Sequence, residues 1–163
     1  MSTPNRVTKS RKVGVPPAAV FALLSDPRRH PQFDGSGMLV GVATPGPVTE
    51  VGDVFSMHMH NENMGDYTID NHVVEFDPDR RIAWEPVLSE ASRTEDEAYI
   101  GTRLHHRWGF ELEADGPDAT LVTEFFDCSA SPADFQQQLE GGSIWNDAIA
   151  ASLENIERQL SAG

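Results

Sequence analysis

The chain has 163 residues, with 12 Lys and Arg against 26 Asp and Glu, giving a formal net charge of −14 and a pI near 4.6. That balance excludes nucleic acid and anionic lipid as expected partners, because both need a concentrated positive footprint. With 39% hydrophobic and 23% charged residues, the length predicts a single domain over 1–163 that buries about 70% of its unfolded surface.

The N-terminus, MSTPNRVTKSRKV, has no apolar core of a signal peptide. Its cluster of Arg6, Lys9, Arg11 and Lys12 reads as a solvated edge strand whose charge discourages edge-to-edge pairing. Next, Pro16-Pro17 fits a strand exit and helix start, since a first helical turn does not use the missing N–H. Val20, Phe21, Leu23 and Leu24 form its apolar stripe, and Asp26-Pro27 ends it before a second short helical turn.

Six further strands are predicted: Met38–Ala43, Asp53–His60, Tyr67–Phe76, Arg81–Pro86, Thr102–Glu113 and Thr120–Cys128. Turn residues separate them, as at Pro45-Gly46-Pro47, Asp77-Pro78-Asp79 and Asp115-Gly116-Pro117-Asp118, and such short spacings favour antiparallel neighbours. In Thr102–Glu113, Leu104, His106, Trp108, Phe110 and Leu112 share one face. Ser131-Pro132 reads as a serine cap with proline at the first helical position, and Gly141-Gly142 as the break before a longer helix. Trp145, Ile149, Leu153, Ile156 and Leu160 recur at helical spacing over about Ser143 to Leu160. The fold class is therefore α+β: a curved antiparallel sheet of about seven strands, two short helices after strand 1, and a long C-terminal helix to cover the apolar face.

Val15-Pro16-Pro17 through Asp26-Pro27 resembles the opening of the SRPBCC superfamily. Gly52-Asp53, Val74-Glu75-Phe76-Asp77-Pro78 with Arg81-Ile82-Ala83-Trp84, and the Trp145-to-Leu160 helix resemble it too. These are the START-like, helix-grip proteins, and the chain looks most like their polyketide cyclase/dehydrase-type branch. The matching residues are turn, cap and core residues, so they speak for fold and not for chemistry. The resemblance implies a cavity between sheet and long helix that takes an apolar or aromatic small molecule, without a cofactor.

Phe55, Met57, Met59, Trp84, Trp108, Phe110, Phe126 and Trp145 are the candidate ligand-binding residues. Residue type alone fits a filled core as well as a hollow one, and the resemblance points to hollow. His106 and Glu124 are the candidate acid/base pair. Glu124 faces inward if Thr120, Val122, Phe126 and Cys128 do, and outward beside Arg103 or Arg107 if Leu121, Thr123 and Phe125 are inside; apolar content leans to the first register. Phe33 and Asp34 stand where they would reach the cavity entrance.

His58, His60 and His72 fall opposite the apolar face, so no metal site is expected. Cys128 has no histidine at a recognisable spacing and no phosphate-cradling glycine loop occurs. The acidic stretch Ser89–Tyr99 reads as a solvated loop that would act as a lid if it lies over the cavity mouth. A lone cysteine and the lack of an apolar run of about 20 residues fit a cytoplasmic protein without membrane insertion, monomeric or homodimeric. Two classes compete with a cyclase/dehydrase-like enzyme: a non-catalytic carrier or sensor of a lipid or metabolite, and a chaperone-activator-like interaction module.

Overall fold

The computed structural model describes residues 4–62, 64–89 and 100–161. Strand β1 (Arg6–Val13) leads into helix α1 (Pro17–Leu24) and a 3-10 helix (Pro27–Gln32). Strands β2 (Leu39–Val42), β3 (Val54–Asn61), β4 (Gly65–Asp77), β5 (Arg81–Leu88), β6 (Arg107–Ala114) and β7 (Thr120–Asp127) follow. The chain ends with α2 (Ala133–Gln138), a second 3-10 helix (Glu140–Trp145) and α3 (Asn146–Ser161). All sheet pairings are antiparallel, and the order β1-β7-β6-β5-β4-β3-β2 lets the first strand close on the last. This is the α+β, helix-grip-like architecture expected from the sequence.

The local reasons are those of the sequence. Proline opens α1, and Asp26, extended as a pre-proline residue must be, accepts a hydrogen bond from the Arg28 N–H at the start of the 3-10 helix. Gly141 and Gly142 break the chain before α3 with φ of 68° and 98°. Gly142 also lies against the Phe126 ring, where a Cβ would come within 2.8 Å. In α3, Ile149, Leu153 and Ile156 are buried and join Val13, Leu23, Leu24, Phe110, Val122 and Phe126 in one apolar core.

Two expectations need correction. The predicted strand Thr102–Glu113 begins only at Arg107, because His105 takes φ 61°, a left-handed conformation incompatible with a strand. Pairing of β5 with β6 accordingly covers only Arg81–Trp84, and beyond Pro86 strand β5 meets Ile100 in a single bridge. Second, Ser131 does not cap α2: the cap position is Pro132, and the buried Ser131 hydroxyl has no partner. Strand β4 carries a bulge between Val73 and Glu75, which puts both Val73 and Phe76 on the apolar face although unbroken alternation would separate them.

The outer face is not simply solvated. Phe125 is fully buried there, beneath the guanidiniums of Arg6 and Arg81 at 4.7 and 5.1 Å from its ring centre. Gly109 makes this possible, since a Cβ at that position would lie 2.4 Å from the ring. Arg6, Arg81 and Arg107 are in turn paired with Glu75, Glu85, Glu111 and Asp127.

Helix α3 rests chiefly on β1 and β7, one side of the sheet. From the other side it is held by the segment after the first 3-10 helix. There the Gly35 N–H donates to the Ser152 hydroxyl at 2.8 Å and the Asn155 amide donates to the Phe33 carbonyl at 3.2 Å. A Cβ on Gly35 would lie 2.4 Å from the Ala148 carbonyl oxygen and 2.6 Å from the Ser152 nitrogen. Both are helix backbone and cannot yield as a side chain can. Gly35→Ala is therefore expected to cost roughly 2–3 kcal/mol, as overpacking of a rigid contact does. Urea unfolding checks this: a midpoint unchanged from the parent protein would show that α3 is not held there.

Candidate functional site

Because α3 lies over β1 and β7, the middle strands face a space that the helix does not fill. Two adjoining lobes of about 220 and 330 Å³ occupy it, within the range of small-molecule sites for the larger. They share Met38, Tyr67, Ile69, Pro86, His106, Trp108 and Trp145 along their common boundary. The inner lobe reaches His30, Phe33, Trp84, Phe110 and Glu124; the outer reaches Leu88, Leu104, Phe126, Phe135 and Leu139. The outer lobe lies where β5 has lost its β6 partner.

Met57, Met59, Trp84 and Phe110 line the inner lobe, Phe126 the outer, and Trp108 and Trp145 both. All three tryptophans of the chain thus line the cavity. Phe55 stands behind this wall: fully buried, it packs edge-on against His30 and Trp84 at 5.5 and 5.4 Å between ring centres. Phe33 and Asp34 both line the inner lobe.

Strand β7 takes the register with Thr120, Val122, Glu124 and Phe126 on the apolar face, so Glu124 points inward beside Phe110 of β6. Burial pushes its carboxyl well above the usual carboxylate range, and the nearby charge of Asp34 pushes it the same way. Lys9 stands opposite in the β1 register but is exposed and forms no ion pair with it. His106 follows the left-handed His105, and burial pushes its ring down to about 4, with Glu85 pulling weakly the other way. Both groups line the inner lobe, yet no hydrogen bond joins them: His106 Nδ1 and Glu124 Oε1 are buried without partners. Asn71 Nδ2 and Trp145 Nε1, also on lining residues, are in the same condition. Unpaired buried polar atoms are rare in folded proteins, and four on one cavity wall mark it as unlike an ordinary core.

Three buried polar lining residues, His30, Asn71 and Ser152, escaped the sequence reading. His30 is 3% exposed and its Nε2–H donates to the Leu24 carbonyl at 2.7 Å, an acceptor that fixes the neutral tautomer; burial pushes the ring down to about 4. Asn71 continues the alternation of Tyr67, Ile69 and Val73 on β4, a signal present in the sequence. Ser152 lies at helical spacing from Trp145 and Ile149, equally legible. Among the described residues no cluster suits a metal ion; His60 pairs with Asp66 at 2.7 Å and His58 is exposed, both facing away from the cavity. The proposed lid, Ser89–Tyr99, lies outside the described residues except for Ser89. No described helix is long and apolar enough to cross a membrane.

The buried titratable groups act on stability in opposite directions. His30 and His106 bind protons more readily unfolded than folded, so their contribution is intact above 6.5 and is lost as pH falls towards about 4. For His30 the loss amounts to roughly 3 kcal/mol. Glu124 holds its proton in the fold and releases it on unfolding, so stability declines as pH rises above the ordinary carboxylate value of 4.5. Glu124→Gln should therefore match the parent protein below that value and exceed it by a widening margin as pH rises. Thermal unfolding across this range checks the sign, and a variant that loses stability with rising pH relative to the parent would contradict it.

Residues 4–161 match the polyketide cyclase/dehydrase and lipid transport family. The uncharacterized protein Rv0088 of Mycobacterium tuberculosis is 34% identical over 131 residues, 80% of this chain and 50% of that protein. The chain thus spans about half the length of the curated relatives it matches. Among solved structures, a protein of Arthrobacter aurescens superposes with a TM-score of 0.72 at 14% identity, covering 98% of this chain and 88% of that one. DynU16, from the dynemicin biosynthetic locus, superposes with a TM-score of 0.60 at 21% identity, covering 99% of this chain and 49% of its own. At such identities the structural likeness speaks for the fold alone, and it is the family match over nearly the whole chain that decides the assignment: this protein belongs to the polyketide cyclase/dehydrase and lipid transport family.

Proposed function

We propose that the cavity binds an apolar or aromatic small molecule and that the chain acts on it as a polyketide cyclase/dehydrase-like enzyme. The observation that carries this reading is the pair of aromatic-lined lobes with four buried, unpartnered polar atoms on their lining residues. Trp84, Trp108, Phe110, Phe126 and Trp145 supply flat apolar walls, and Met57 and Met59 adapt to irregular shapes. Phe55 supports Trp84 and His30 from behind.

Burial pushes the two candidate catalytic residues in opposite directions. His106, held down to about 4, is neutral near neutral pH and can accept a proton; burial favours the protonated form of Glu124, the form that can donate one. In an aldol closure, His106 would take a proton from a carbon beside one carbonyl while Glu124 protonates the oxygen of the carbonyl being attacked. The cavity would contribute by holding a flexible chain in the folded, reactive shape. A carrier or sensor reading is favoured over the enzyme only in one respect, namely that His106 and Glu124 are not bonded to each other.

Native mass spectrometry of the protein purified from its own host tests ligand binding. The expected result is a co-purifying small molecule, lost when Ala148→Trp fills the inner lobe from α3. A clean ligand-free spectrum under gentle conditions would contradict the reading. With that ligand as substrate, His106→Ala and Glu124→Gln should each reduce turnover by about 10²–10⁴-fold, as loss of a general acid or base does. The acid limb of the parent protein's pH–rate profile should fall near 4, where His106 becomes protonated. Unchanged turnover in both variants would contradict the acid/base roles of His106 and Glu124, and a parent protein that binds the ligand without converting it would leave the carrier function.

A further inference from the structure

The chemistry of the cavity wall narrows the ligand class, on the proposed reading that the cavity is a ligand site. Among its described lining residues there is no Lys or Arg. The ionisable lining groups are two acids, Asp34 and Glu124, two histidines, His30 and His106, and the phenol of Tyr67. Asp34 is held in place by the N–H groups of Ser36 and Leu39 and by the Ser36 hydroxyl, so its carboxyl group has a fixed position in the inner lobe. A carboxylate or phosphate head entering this space would lose its hydration and meet negative charge with no described cation to offset it.

The unpartnered atoms point the other way. Trp145 Nε1 can only donate a hydrogen bond, and it is buried without an acceptor on a residue shared by both lobes. Asn71 Nδ2, also a donor, is buried without an acceptor on β4 and belongs to a lining residue of the inner lobe. Aromatic rings from Phe33, Tyr67, Trp84, Trp108 and Phe110 surround them. The wall thus offers N–H donors and flat apolar area, and it lacks a positive charge.

We infer that the cavity selects an uncharged aromatic ligand bearing a ketone or quinone oxygen and rejects carboxylates, with Trp145 and Asn71 as the specificity-determining donors. The two donors gain an acceptor only when such an oxygen is present, so a hydrocarbon of the same shape leaves them unsatisfied. A fatty acid would satisfy them through its carboxylate at the cost of an uncompensated buried charge.

Three probes of nearly one shape test this: fluorene, 9-fluorenone and 9-fluorenone-2-carboxylate, titrated at neutral pH and followed by tryptophan fluorescence. All three tryptophans line the cavity, so quenching reports occupancy directly. The expected order places fluorenone about tenfold tighter than fluorene, the worth of one added hydrogen bond to a buried donor. The carboxylate should bind at least about tenfold more weakly than fluorenone. Trp145→Phe should erase most of the fluorenone advantage over fluorene, read as the ratio of the two affinities within the same variant. Asn71→Leu provides the same comparison at the second donor should the first variant fail to fold. A carboxylate that binds as tightly as fluorenone, or fluorene as tightly as the ketone, would overturn the inference and leave the ligand cavity standing. Quenching by none of the three would overturn the ligand-cavity reading and this inference with it.

Discussion

The placement of α3 governs everything inside this protein. The helix is pinned on one side by β1 and β7 and on the other by Gly35, whose missing side chain lets the chain approach the helix backbone. A helix held at those two edges cannot also settle onto β3–β5. The middle of the sheet is therefore left to large side chains that fill part of the gap and line the rest. Close packing elsewhere in the core, where Leu23, Leu24, Ile149 and Ile156 are almost wholly buried, shows that the hollow is local and not a sign of a loose fold.

A hollow of this kind carries an energetic penalty, and its polar groups add to it. Glu124, His106, Asn71 and Trp145 each leave a buried atom without a partner, at about 1–3 kcal/mol apiece by general experience. Their sum is a substantial fraction of the 5–15 kcal/mol by which domains are stable. An interior chosen for stability alone would replace these groups with apolar ones of similar shape. Their presence together on one cavity is the physical argument for a site, and it holds irrespective of which reaction or ligand is involved. The outer face shows the opposite arrangement: Phe125 is roofed by Arg6 and Arg81, and the arginines around it are matched by carboxylates.

Much of the fold was legible because its signals are local. The alternation of Phe55, Met57 and Met59, the spacing of Trp145, Ile149 and Leu153, and the prolines around α1 each need only a few neighbouring residues to be read. What was not legible depended on single backbone angles or on distant contacts. His105 turns left-handed and shortens a strand whose pattern of side chains gives no sign of a break. The bulge in β4 shifts one face by a residue. His30 is buried by Phe55 and Trp84, which come from β3 and β5, so no window around it carries the signal. Phe55 satisfies the same local pattern as Met57 and Met59, yet the His30 and Trp84 rings pack against it and it lines neither lobe.

The central claim, an open interior between the middle strands and α3, can be tested by methyl NMR during a titration with naphthalene, using labelled methionine and isoleucine. Met38, Met57, Met59, Met64 and Ile69 line the lobes, whereas Ile82 and Ile156 are fully buried in the core and line neither. The account predicts saturable shifts at the first five and none at Ile82 and Ile156. Unmoved lining methyls at saturation of the probe, or shifts spread evenly over both sets, would contradict it.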